Sequence, residues 1–183
     1  MNSTPRTRVS WWPVTLRTPR LTLRPVIAED LPPIERLWRD EDVRRYLGGP
    51  VDESKIVTRR ARLAGTPGVF TIAGRGAEEV LGLVTIDPWS AREGTEVSYL
   101  LLPEHWGRGV GREAVGAAVD WALRSVPGTA QVVAVTQAAN RMSRRLLEGI
   151  GMQLVDRIVE YGEQQTVYRR PAVPTPAAGG GPA

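Results

Sequence analysis

The chain has 183 residues, 42% of them hydrophobic, which suits one domain with a substantial core and no second one; no apolar run approaches the roughly 20 residues of a membrane span. With no cysteine and a single histidine, disulfides, thiolate nucleophiles and Cys- or His-cluster metal sites are excluded, and no metal is expected. The net charge of +4 rests almost wholly on arginines spread along the chain, Lys55 being the one lysine, so a solvated basic surface is expected rather than a nucleic-acid partner.

Residues 1–13 are polar and proline-bearing apart from Trp11-Trp12, and read as a flexible N-terminal tail whose Trp pair could anchor it on the domain or on a partner subunit. The domain is expected over 14–170. Leu21 to Pro25 alternates as a short strand; Glu29-Asp30 before Pro32-Pro33 reads as a helix start, with Ile34, Leu37 and Trp38 on one face. A turn at Gly48-Gly49-Pro50 leads to Asp52-Glu53-Ser54, the cap of a second helix reaching Ala64. Val69 to Ala73, Val80 to Ile86 and Thr95 to Leu102 read as an antiparallel meander.

Next comes Trp106-Gly107-Arg108-Gly109-Val110-Gly111-Arg112-Glu113-Ala114, and after it Ala114, Val115, Ala118, Val119, Ala122 and Leu123 recur at helical spacing. Strand, helix and two strands follow at Ala130 to Thr136, Asn140 to Ile150, Met152 to Glu160 and Thr166 to Arg169. Residues 171–183 are only Pro, Ala, Gly, Val and Thr and read as a disordered tail. The pattern is α+β: a single domain with a mixed, mostly antiparallel sheet flanked by helices on both faces. With no signal-peptide core after the N-terminal arginines, a cytoplasmic protein is expected, as monomer or homodimer and without a membrane partner.

The glycine stretch is the main functional signal. Three glycines between a strand and a helix let the backbone turn and approach a ligand, and the first helical N–H groups, unpaired within the helix, point at an anion there. A P-loop is excluded, because Arg112-Glu113 stands where Lys and Ser or Thr are needed. Gly109-Val110-Gly111-Arg112-Glu113-Ala114 matches a dinucleotide fingerprint literally, but the next strand carries no acidic ribose ligand. An acyl-CoA pyrophosphate cradle is the third reading.

Here the sequence resembles the GNAT family of N-acetyltransferases, whose signature is Q/R-x-x-G-x-G/A at a strand-to-helix junction. Trp106 at the first position departs from it and looks like the branch that includes the Rim-type ribosomal-protein N-terminal acetyltransferases. Thr18-Pro19-Arg20-Leu21-Thr22-Leu23-Arg24-Pro25 resembles that branch's opening strand, Glu96-Val97-Ser98-Tyr99-Leu100-Leu101-Leu102-Pro103 its central strand, and Asn140 through Met152 its late helix.

The resemblance implies acetyl-CoA as acyl donor and a primary amine, on a protein N-terminus or a small molecule, as acceptor. Lacking a nucleophile elbow beside His105, the chain suits direct attack of a bound amine on the thioester. The resemblance makes Glu96 the proton acceptor, with Glu160 and Glu93 as fallbacks, and Ser143 the donor to the departing sulfur, since Leu147 occupies the position of the family's alternative tyrosine. It expects the strands holding Leu100 and Val133 to splay around the pantetheine arm, and the backbone N–H of Leu101 or Leu102 to hold the oxyanion. Trp106, Gly107, Arg108, Gly109, Val110, Gly111 and Arg112 would form the pyrophosphate cradle. Asn140 would contact the pantetheine and cap its helix, and the side chain of Arg108, or those of Arg144 and Arg145, could reach the ribose phosphate. The acceptor cleft is expected along Trp38 to Gly49 and Tyr161 to Gln165, with Trp38, Tyr46 and Trp89 as possible contacts. The alternative reading is a catalytically silent acyl-CoA sensor.

Overall fold

The computed structural model describes residues 9–88, 90 and 94–172. Among the described residues five α-helices and eight strands follow in order: β1 (Leu16–Arg17), β2 (Leu21–Pro25), α1 (Leu31–Arg39), α2 (Glu41–Arg44), α3 (Glu53–Leu63), β3 (Val69–Gly74), β4 (Val80–Asp87), β5 (Thr95–Leu101), α4 (Val110–Ser125), β6 (Gln131–Gln137), α5 (Arg141–Gly149), β7 (Gln153–Glu160) and β8 (Glu163–Pro171). They form one eight-stranded sheet in the order β1-β2-β3-β4-β5-β6-β8-β7. Every neighbouring pair is antiparallel except β5 with β6, which α4 joins as a crossover. The fold is the α+β arrangement read from the sequence.

Two hydrophobic clusters hold the two faces of the sheet. On one face, Ala114, Val115, Ala118, Val119 and Ala122 of α4, all fully buried, pack on Leu21, Leu23, Phe70, Ile72, Val84 and Val97. The small alanines let α4 lie close to the sheet, and each buried Val or Leu contributes about 2 kcal/mol of apolar burial. On the other face, Ile34, Leu37 and Trp38 of α1 and Ile56 of α3 pack on Val69, Val80 and Leu83. Successive strand residues therefore divide between the clusters: Phe70 and Ile72 to one, Val69 to the other.

The turn into α1 carries a buried ion pair. Asp30, 2% exposed, accepts from Arg24 Nη1 at 2.6 Å and Nη2 at 2.8 Å, from the Thr71 hydroxyl at 2.7 Å and from the Ile27 N–H at 3.0 Å. Burial by itself would raise the Asp30 pKa, but these donors together hold it below the ordinary aspartate value.

Several expectations shift. The N-terminal segment, expected as a tail through Pro13, lies against the domain at Trp11 and Trp12: Trp12 meets Phe70 edge-on at 4.8 Å between centroids, and Trp11 meets Trp121 at 5.7 Å. Of the two outcomes left open for the Trp pair, anchoring on its own domain is the one found. The last strand is longer than expected, because β8 pairs along all of β6. The short α2 carries no periodicity to betray it; Asp40 caps it by accepting from the Val43 N–H at 2.9 Å. Among the described residues no helix is long and apolar enough to cross a membrane.

Candidate active site

The sheet opens at its parallel seam. β5 and β6 pair only at Thr95–Val132 and Glu96–Val133, while β5 continues along β4 to Leu101 and β6 continues along β8 to Gln137. The two strands diverge around a cavity of about 700 Å³ lined by Val97 to Leu101, Ala134 to Thr136, the glycine loop and the start of α5. This is the expected splay.

Strand parity decides which backbone groups face it. The Leu102 N–H bonds the Leu81 carbonyl at 3.0 Å, so at this end of the ladder even-numbered residues of β5 turn toward β4 and odd-numbered ones away from it. Leu101 thus directs its N–H into the cavity, and its carbonyl accepts the Trp106 indole N–H at 2.9 Å. Leu102 is corrected as a site residue: it is 2% exposed, off the cavity wall, and its N–H is already bonded. Leu100 lines the wall through its side chain.

The glycine loop turns into α4 through Gly109, whose left-handed φ of 78° caps the helix. The loop is clamped from behind. Glu113, in the first turn of α4, accepts from the Thr18 hydroxyl at 2.5 Å, the Arg20 N–H at 2.9 Å and Arg20 Nε at 2.6 Å, and Arg20 Nη1 donates to the Arg108 carbonyl at 3.0 Å. Burial pushes the Glu113 pKa up, but this set of donors outweighs it and the value is lowered. Two stretches recognised separately in the sequence, at Thr18–Arg20 and Trp106–Ala114, therefore form one unit.

Trp106, Gly107, Gly109, Val110, Gly111 and Arg112 line the cavity; Arg108 does not, and its recorded contact is the carbonyl bond to Arg20. Gly111 has a packing reason beside the one its motif suggests. A Cβ there would stand 2.7 Å from Leu146 and 3.0 Å from Leu101, so the missing side chain brings α4 against α5 and β5.

At the opposite wall Asn140 caps α5, its side chain accepting the Ser143 N–H at 3.1 Å. The Ser143 hydroxyl lies 2.7 Å from the Tyr99 phenol, which also lines the cavity. Burial pushes the Tyr99 pKa up to about 12, the serine bond pulling the other way. Tyr99 went unnoticed as a site residue; the available signal was a tyrosine in an otherwise apolar strand, whose buried hydroxyl needs a partner. Arg144 is turned inward, donating to the Tyr168 hydroxyl and the Ala138 carbonyl at 3.3 Å each, while Arg141 and Arg145 line the wall.

Of the stretch expected to line the acceptor cleft, Asp42, Val43, Arg45, Tyr46 and Leu47 form part of the cavity wall. Trp38 belongs to the core, 4% exposed beneath the Arg59 guanidinium, and Tyr161 to Gln165 do not reach the wall. Glu96 is half-buried below the wall, where β5 and β6 still pair, and accepts the Ser90 hydroxyl at 2.5 Å. Glu160 ends β7, and Glu93 and Trp89 lie outside the described residues. His105 contributes to the wall, its Nε2 buried 3.9 Å from Glu79.

Known proteins share this fold. A family described as an acetyltransferase (GNAT) domain matches residues 20–153. The chain is 28% identical over 147 residues to an uncharacterized N-acetyltransferase, p20, of Bacillus licheniformis, covering 76% of this chain and 82% of that one. An acetyltransferase structure from Agrobacterium tumefaciens is 29% identical with a TM-score of 0.75, covering 90% of this chain and 98% of the other. The fold is also that of Mycobacterium smegmatis RimJ in complex with CoA-disulfide, 20% identical with a TM-score of 0.69 over 88% of this chain and 89% of the other. The chain belongs to the GNAT family of acetyltransferases and is an N-acetyltransferase that uses acetyl-CoA.

Proposed function

We propose that the chain moves an acetyl group directly from acetyl-CoA to the primary amine of a protein N-terminus, both substrates being held together in the opened seam. The splay of β5 from β6, with a helix N-terminus at one wall and Ser143 at the other, carries this reading. Acetyl-CoA supplies an activated thioester.

The unpaired N–H groups in the first turn of α4, at Val110, Gly111 and Arg112, suit a pyrophosphate, with the Gly107–Gly109 backbone and Arg112 beside it. Asn140 would meet the pantetheine. The Leu101 N–H suits the oxyanion that develops as the amine attacks, and Ser143 suits the departing sulfur. Glu96 is our proton acceptor, with the Ser90 hydroxyl orienting it. Four residues of strand separate it from Leu100, about 13 Å, so the proton passes through ordered water.

The acceptor class rests on charge as well as on the Rim-type resemblance. Among the described residues the one carboxylate lining the cavity, Asp42, is paired with Arg45 at 2.5 Å, so none of them offers an unpaired wall acid for a second ammonium. A single amine fits better than a polyamine. The test is CoA release with peptides bearing a free N-terminus, small monoamines and spermidine as acceptors. Peptides should be fastest, and preferred turnover of spermidine would overturn the assignment. Glu96→Gln should lower kcat by about 10²-fold or more at unchanged acetyl-CoA affinity; wild-type kcat would move the base to another carboxylate.

A further inference from the structure

The Ser143 hydroxyl has one proton to give and two lone pairs, and it assists a departing sulfur only when that proton faces the cavity. Among the described residues its hydroxyl has one partner, the Tyr99 phenol at 2.7 Å, and it makes no bond back to the preceding turn of its own helix. Two proton arrangements are open. In one, Tyr99 donates to Ser143 Oγ and the serine proton is free for a ligand. In the other, Ser143 donates to Tyr99, and the phenol proton is left with the Ser143 carbonyl at 3.5 Å, the far limit of a hydrogen bond.

Chemistry favours the first arrangement. A phenol is a stronger acid than an alkyl alcohol and so the better donor, and the alcohol oxygen is the better acceptor. Burial reinforces this, because the raised Tyr99 pKa keeps the phenol protonated throughout the working range.

We propose that Tyr99 is a positioning residue for acetyl transfer: it donates to Ser143 Oγ and thereby commits the serine proton to the sulfur that leaves with CoA. The inference rests on the direct-transfer reading above. As the amine nitrogen bonds the thioester carbon and the C–S bond breaks, the electron pair stays on sulfur, where the Ser143 O–H stabilises it. The nitrogen attacks as the neutral amine, the proton it sheds as the amide forms leaves by way of Glu96, and Tyr99 keeps its own proton.

The test compares Tyr99→Phe, Ser143→Ala and the double variant of the full chain, using acetyl-CoA and whichever amine of the acceptor series the unmodified chain acetylates fastest. CoA binding is measured by calorimetric titration as a check on the fold. Tyr99→Phe removes one oxygen from an isosteric ring. It should lower kcat about tenfold, with acetyl-CoA KM and CoA Kd within about twofold, and it should cost nothing further once Ser143 is alanine. Wild-type kcat in Tyr99→Phe, or a loss that adds in full to that of Ser143→Ala, would overturn the proposal, since a purely structural tyrosine gives additive effects and weaker CoA binding. An unmodified chain that binds CoA but acetylates none of the amines would overturn the transfer reading itself, and this inference with it.

Discussion

The two faces of the sheet carry different halves of the cavity and fasten them differently. Under the half we propose for the cofactor lies the larger cluster, in which α4 is pressed on the sheet through Ala114, Val115, Ala118, Val119 and Ala122, and the groups proposed to meet the pyrophosphate there are main-chain N–H groups. The half we propose for the acceptor lies on the side of the smaller cluster beneath α1 and α3 and of the Arg24–Asp30 pair at the start of α1, and it is lined by Asp42, Arg45, Tyr46 and Leu47 from a four-residue helix and the turn after it. A site made of backbone tolerates change in its side chains but not in its packing. A site made of side chains on short elements changes its preference with single substitutions while the scaffold stays intact.

The sharpest way to break this contrast is Gly111→Val. Its Cβ and methyls would drive into Leu146 and Leu101, so CoA affinity should fall at least about 100-fold and stability by about 2–3 kcal/mol, read by titration and thermal melting. Retained CoA binding would mean that α4 can retreat from β5 without disturbing the loop.

Asp30→Asn is next and acts on the other half. It leaves the partly buried Arg24 without its counter-charge and should cost about 3 kcal/mol of stability, with CoA Kd little changed. The pH sign follows from the depressed Asp30 pKa. The stabilisation is complete above the ordinary aspartate value of about 4 and drains away as pH falls from there through the folded value, so the gap between wild type and Asp30→Asn should close in acid.

Glu113→Ala releases Thr18 and Arg20 from behind the glycine loop and should raise acetyl-CoA KM about 5–10-fold, since a part-buried acceptor of three donors is lost. The smallest effect is expected for Tyr46→Ala. Acceptor KM should rise a few-fold while acetyl-CoA KM stays within error, and equal changes in both would erase the distinction between the halves.

The sequence made the cofactor half legible because its signals are local. Three glycines, a helix cap and an alternating strand each lie within a dozen residues. What it hid is long-range or depends on parity. Tyr99 and Ser143 are 44 residues apart, and Arg20 and Glu113 are 93 apart; the family resemblance singles out Ser143, but neither its tyrosine partner nor the Arg20–Glu113 clamp is visible until the sheet brings the pairs together. The choice between Leu101 and Leu102 turned on which of two adjacent N–H groups faces β4, and alternation repeats every two residues without announcing its phase. Gly111 carries a second constraint that its motif does not spell out: besides the proposed approach to phosphate, its surroundings demand close helix packing.

The divided seam also bears on edge-to-edge aggregation of the sheet. The outer margins of the sheet are guarded in familiar ways: β1 is two residues long, and β7 carries Asp156, Arg157 and Glu160. The facing edges of β5 and β6 beyond Glu96 and Val133 have no such guard, running through Val97, Tyr99 and Leu101 on one side and Ala134 and Val135 on the other. These are apolar strand edges with backbone groups unmatched across the seam, turned toward each other inside the fold. An extended ligand bearing amides would complete their pairing, so acetyl-CoA should suppress heat-induced aggregation by more than its effect on the melting temperature alone would give.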